Sequence, residues 1–154
     1  MLTVNELMTI DPDVVTPRAT LRDAVICMNQ NGHRHLPVVL DDNQSNPRLV
    51  GILSERDIRL GVNSPLINAS IVNRMDILDN FTVGDCMTSS PITVSIDFPV
   101  YQAANIFVLN KVGALPVVEE DEGGLPILRG ILTTTDLLEQ LALHPDAEPA
   151  SLIG

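Results

Sequence analysis

Shifted by 79 positions, the sequence meets itself again: Leu36-Pro37-Val38-Val39 falls on Leu115-Pro116-Val117-Val118, and Gly51-Ile52-Leu53-Ser54-Glu55-Arg56-Asp57 falls on Gly130-Ile131-Leu132-Thr133-Thr134-Thr135-Asp136, with no gap between the blocks. Thr3, Val4, Met8, Thr9, Pro12, Val15 and Ala24 meet identical residues at 82, 83, 87, 88, 91, 94 and 103. A period this long in a chain of 154 residues means two copies of one supersecondary unit. Each copy is too small to bury its apolar surface alone, so the copies are expected to pack together, with any ligand near their seam.

Hydrophobic residues make up 45% of the chain and aromatic ones only 3%, so the core must be built from Val, Ile, Leu and Ala, as in α/β packing around short strands. A net charge of −11 opposes docking on nucleic acid or an anionic membrane, because such surfaces attract a clustered positive field. The amino terminus lacks a basic segment followed by an apolar stretch, and no apolar run approaches the roughly 20 residues that span a bilayer. A cytoplasmic protein is expected. Cys27 and Cys86 do not occupy matching repeat positions, so they suggest neither a disulfide framework nor a zinc site, and they read as small apolar residues.

Within each copy the hydrophobic period changes in a fixed order. Thr3-Val4-Asn5-Glu6 has capping-box form and opens a short helical turn that Pro12 ends, and Val14-Val15 makes a brief strand. The second copy repeats this from Thr82 to Val94. Thr20 can cap a helix whose Leu21, Ala24, Val25 and Met28 share a stripe and which stops at Gly32; its counterpart starts near Pro99. Leu36 to Leu40 and Leu49 to Leu53 read as strands around a polar turn, and a last helix follows Ser54 or Thr133. The expected fold is α/β (α+β) with two β-α-β-β-α repeats, at 1–62 and 82–142. A connecting helix is expected at 63–81, on the spacing of Leu66, Ala69, Ile71, Val72 and Met75, with a loose tail at 143–154.

Leu-Pro-Val-Val, a loop, then Gly-Ile-Leu-Ser/Thr-x-x-Asp, with Met-Thr-x-x-Pro at the head of each copy, resembles a tandem pair of CBS domains, often called a Bateman module. The resemblance covers residues 3 to about 142 and leaves no room for a catalytic domain. It implies a pseudo-twofold pair with two clefts between the repeats. Such pairs commonly bind AMP, ADP, ATP or S-adenosylmethionine and commonly associate as dimers.

The residues offer chemistry for such a ligand. Ser54 with Asp57, and Thr133 with Asp136, each put a hydroxyl at a helix start and a carboxylate three residues later. An ionised Asp can accept from both hydroxyls of a ribose, each such bond contributing roughly 1.5 to 3 kcal/mol. The same pattern also serves as a plain helix cap, and one helix terminus can do both. Most of the nine basic residues fall in the first copy, so the two clefts should differ. The resemblance implies that Arg34 and His35 meet the phosphate of a nucleotide held by Asp57, with Thr88, Ile92 and Val112 around the adenine. For the cleft of Asp136 it implies Thr9, Asp13 and His33 at the base; Gly113 and Ala114 supply no charge there, Arg56 from across the seam is the candidate for a phosphate, and the alternatives are an empty cleft or an uncharged adenosine group. The first cleft is the favoured site.

Other constellations carry less. His33, His35 and Asp13 do not recur at zinc-like spacing, and Glu119-Glu120-Asp121-Glu122 lacks the spaced ligands of a calcium loop. No nucleophile, base and acid fall together, no glycine-rich phosphate loop is present, and no cofactor is expected. The expectation is therefore a regulatory, energy-sensing module, homodimeric and not an enzyme, that binds an adenosine ligand and signals to a protein partner by conformational change. The alternatives are a ligand-independent dimeric scaffold and an S-adenosylmethionine sensor.

Overall fold

Residues 1–41, 45–62 and 74–144 are described by the computed structural model. The chain divides into two compact units, one made of 13–91 and the other of 1–12 with 92–154. The packing units are thus offset from the sequence repeats: each takes its opening segment from the other copy.

In the 13–91 unit, Thr20 caps α2 (Leu21–Asn31), its Oγ1 accepting from Asp23 N at 3.1 Å, and Gly32 ends the helix at φ 70°. A left-handed residue there costs glycine nothing. β2 (His35–Val39) and β3 (Leu49–Ser54) pair antiparallel, Leu36 opposite Leu53 and His35 opposite Ser54. Val15 forms only a parallel bridge to Val38 where a brief strand was expected. α3 (Glu55–Val62) follows β3 directly. Of the expected connecting helix, α4 (Arg74–Asn80) is present, held to α2 by an Arg22–Asp79 ion pair; residues 63–73 and 145–154 lie outside the described residues. α5 (Val83–Cys86), capped by Thr82, and β4 (Thr88–Ser89) complete the unit. The core gathers Val15, Leu21, Ala24, Met28, Leu36, Val38, Leu53, Ile58 and Val83.

The other unit repeats the plan. α1 (Val4–Leu7) and β1 (Thr9–Ile10) come from the amino terminus and join β5 (Val94–Ser95), α6 (Val100–Asn110), β6 (Ala114–Glu120), β7 (Pro126–Thr133) and α7 (Thr134–Leu143). The sheet order is β1-β7-β6-β5, with β5 parallel to β6 and the other pairs antiparallel. Val4 lies in one core with Val94, Ala103, Phe107, Leu115, Val117 and Leu132. The strand, helix, strand, strand, helix order expected of each copy is present in full here.

The matched Met-Thr and Gly-Ile-Leu motifs explain each other. β4 lies on β3 with Ser89 opposite Gly51, and β1 lies on β7 with Ile10 opposite Gly130. A Cβ on Gly51 would stand 2.7 Å from Met87 Sδ and 2.9 Å from the Thr88 carbonyl oxygen. On Gly130 it would stand 2.7 Å from both Met8 Sδ and the Thr9 carbonyl oxygen. A methionine can move aside, but a strand backbone cannot without giving up its pairing. Only glycine lets the borrowed segment lie this close.

Gly51→Ala and Gly130→Ala should therefore each cost about 1–3 kcal/mol, the range for overpacking, read as a lowered melting temperature. Gly123→Ala is the control, since its Cβ would meet only Asp121 Oδ1 at 3.4 Å. It should stay within about 0.5 kcal/mol of the native protein.

Candidate functional site

The turn from β3 into α3 places Ser54 and Asp57 at one helix mouth. Asp57 Oδ2 accepts from Ser54 N at 2.9 Å, and Ser54 Oγ accepts from Asp57 N at 3.0 Å. At the start of α7, Asp136 Oδ2 accepts from Thr133 N at 2.7 Å and from Thr133 Oγ1 at 3.1 Å, while Thr133 Oγ1 accepts from Asp136 N at 3.3 Å. Both carboxylates are half-buried. The capping role is thus realised in both copies, and it occupies one oxygen of each acid. Among the described residues, no group bonds Oδ1 of Asp57 or of Asp136. Each acid is held in a fixed direction with an acceptor to spare.

Backbone pairing brings the basic residues of the first copy to this mouth. Glu55 N donates to the Arg34 carbonyl oxygen at 2.9 Å, and His35 stands opposite Ser54 in the ladder. His35 is half-buried, and burial holds its imidazole below the ordinary histidine range; Asp57 and Glu55 pull it up, and Arg34 pushes it down. Thr88 is opposite Ile52 on β4, in the same sheet. Ser54, Asp57, Arg34, His35 and Thr88 therefore belong to one unit and one end of its sheet. Arg56 is exposed on the first turn of α3. Ile92 and Val112 belong to the other unit with Thr9, Thr133 and Asp136. There Thr134 N donates to the Gly113 carbonyl oxygen at 3.2 Å, the same backbone staple with no charge attached to it.

One feature near Asp57 has no signature in the sequence. Cys86 packs against α3, its Sγ 2.9 Å from where a Gly61 Cβ would stand, and lies within the field of Asp57. Burial first, then Asp85 and Asp57, push its thiol up, so it stays protonated and presents an uncharged wall. Nothing local in the sequence marks this, because the contact depends on the borrowed opening segment. Cys27 is likewise held up, by burial and then Asp13. Both thiols are half-buried at the margin of the core.

The remaining candidates have local roles. His33 Nε2 lies 3.0 Å from Asp13 Oδ2, both partly exposed. Within the acidic run, Asp121 Oδ1 accepts from Gly123 N and Leu125 N, both at 2.9 Å, and Glu119 pairs with Arg129 at 2.8 Å, so these two shape the β6–β7 turn. Between α2 and α3 a cavity of about 420 Å³ has Val25, Met28 and Ile58 in its lining, with Arg34, Glu55 and Arg59 beside them. No described helix is long and apolar enough to cross a membrane.

Known proteins share this organisation. The CBS domain family's sequence profile matches twice, at residues 4–63 and 83–143. A CBS domain-containing protein of Dictyostelium discoideum is 35% identical over 138 residues, covering 90% of each chain. The Arabidopsis thaliana CBS-pair protein CBSX2, solved in complex with AMP, is 30% identical with a TM-score of 0.71, over 96% of this chain and 100% of that one. The Methanocaldococcus jannaschii protein MJ1225, described as a putative archaeal homolog of γ-AMPK, is 32% identical with a TM-score of 0.75; the match covers 90% of this chain and 47% of that one. With the family profile matched over both copies and the fold shared with CBS-pair structures, the chain belongs to the CBS domain family.

Proposed function

We propose that this protein is a regulatory module that binds an adenine nucleotide at the mouth of α3, not an enzyme. The observation that carries the reading is the divided Asp57 carboxylate: Oδ2 is fixed by Ser54 N, while Oδ1 meets no described group, beside Arg34 and His35. A ribose diol can donate to the spare oxygen and share the other. The charge-assisted bonds contribute roughly 1.5 to 3 kcal/mol each, and the cap has already fixed the direction of the acceptor. Arg34 supplies a permanent cation for a phosphate, and His35 supplies one on demand. Thr88 is the base contact on the same unit. AMP is the leading ligand because CBSX2 was solved with it.

The second helix mouth, with Thr133 and Asp136, has Gly113 and Ala114 where the first has Arg34 and His35. It is therefore the weaker site. Binding signals only if the ligand favours one conformation over another, and a partner then reads the shifted population. We further propose that the module acts in the cytoplasm and that it is a homodimer, the second reading supported by the apolar side chains left exposed on α6 and α7.

A ligand present at a hundredfold its dissociation constant adds about 2.7 kcal/mol of stability. AMP, ADP or ATP should therefore raise the melting temperature by several degrees, and a ligand-independent scaffold would show no shift. In calorimetry, Asp57→Asn should weaken AMP at least tenfold without lowering the melting temperature much, because an amide oxygen still accepts from Ser54 N. Asp136→Asn should leave most AMP binding intact, and equal losses would reject the ranking of the two mouths. Arg34→Ala should weaken AMP more than adenosine.

His35 adds a pH signature. Its pKa is depressed in the free protein, so it is neutral near pH 7; a bound phosphate raises that pKa, and binding then takes up a proton. The affinity of native protein relative to His35→Gln should rise as pH falls from 8 towards 6 for AMP. It should stay flat for adenosine.

A further inference from the structure

We infer that the cavity between α2 and α3 is a second ligand site, shaped for a small zwitterion with an apolar tail: a free α-amino acid of the leucine, methionine or phenylalanine kind. Its whole lining lies in the 13–91 unit.

The cavity encloses about 420 Å³, within the roughly 300–1,000 Å³ of small-molecule pockets. Its floor is apolar, with Met28 and Ile58 buried and Val25 half-buried. Around that floor stand charges of both signs, Arg34 and Arg59 against Glu55, all three residues exposed. Among the described residues, none of these three side chains is in an ion pair. Glu55 and Arg59 lie one turn apart on α3, where opposite charges readily pair, yet each keeps its charge open. His33, which also lines the cavity, is already engaged with Asp13 at 3.0 Å.

The repeat separates the two parts of this lining. At the shift of 79, Val25, Met28 and Ile58 match Ala104, Phe107 and Leu137, so the second copy keeps the floor positions apolar. Arg34, Glu55 and Arg59 match Gly113, Thr134 and Leu138, and every charge is lost. The floor belongs to the plan of the fold; the charged rim belongs to the first copy alone.

The rim then selects the ligand. A carboxylate suits the planar fork of an arginine, and an ammonium suits Glu55. An apolar side chain between them covers the floor and displaces water from it. A plain anion would face Glu55 with like charge, and a plain cation would face two guanidiniums. Only a ligand bearing both signs answers the whole rim.

The test is calorimetry of the full-length protein with leucine, methionine, phenylalanine and glycine, and with analogues that lack the amine, such as isocaproate for leucine. The best of the three apolar amino acids should bind at least tenfold tighter than glycine and than its own deaminated analogue. Glu55→Gln should erase the preference over the analogue, and Arg59→Gln should weaken both ligands at least tenfold. Lys111→Gln, which removes a cation from the other unit, should change neither. If none of the three amino acids binds, or if Glu55→Gln and Arg59→Gln bind them as the native protein does, the assignment falls. Because Arg34 also stands at the mouth of α3, the amino acid should weaken AMP and leave adenosine unaffected. Mutual exclusion of the amino acid and adenosine would put both in one cleft and overturn the cavity as a separate site. That coupling rests on the nucleotide reading, whereas binding of the amino acid to the protein alone does not, so the two readings fail separately.

Discussion

The carbonyl oxygen of Thr88 lies 2.9 Å from the point where a Cβ on Gly51 would stand, and that of Thr9 lies 2.7 Å from the same point at Gly130. These two approaches determine how each unit is completed. Each lets a short strand lie on the end of a three-element sheet, and each brings a capped turn whose valine, Val83 or Val4, is fully buried. Neither unit has a closed core from its own contiguous repeat. Because the borrowed segments run in both directions along the chain, the fold of either unit requires the other copy to be present. A single repeat expressed alone would lack a buried valine and an edge strand, a heavy loss for some 60 residues.

The same economy appears at the helix mouths. A cap needs one carboxylate oxygen and one hydroxyl, and Asp57 and Asp136 each give Oδ2 to it. The backbone bond then sets the side-chain rotamer, so little entropy is left to lose when a ligand approaches Oδ1. On the proposed reading, folding and binding therefore draw on different atoms of one residue. An alanine at either position would disturb both at once, whereas an asparagine keeps an acceptor for the backbone and removes the charge.

Much of this was legible in the sequence because it is local. Thr20 with Asp23, Gly32 after α2, and the β2–β3 and β6–β7 hairpins all follow from capping, left-handed conformation and apolar runs within a few residues. So do the capped acids. What the repeat could not show was the exchange of opening segments, because a self-comparison finds equal copies whether each folds on its own opening segment or on the other's. The meaning of the matched glycines depended on that exchange, as did the packing of Cys86 against α3. Val15 does lie extended beside the sheet, but Pro17 and Ala19 engage Gly84 and Val83 through their carbonyls, so the strand stops at a single bridge.

The repeat also separates what shapes the fold from what the protein recognises. Residues identical in both copies, such as Met8 and Met87, Gly51 and Gly130, or Asp57 and Asp136, all serve the fold, through a close approach, a cap or a core position. Identity between the copies is therefore explained by folding alone, and even the paired acids do not by themselves identify a ligand. The information about function sits where the copies differ. Arg34 and His35 correspond to Gly113 and Ala114, and Arg59 to Leu138, on backbones of the same plan. A difference that leaves the fold unchanged is free to answer to something outside it. On the proposed reading, that frees the first copy to carry the charge that meets an anion.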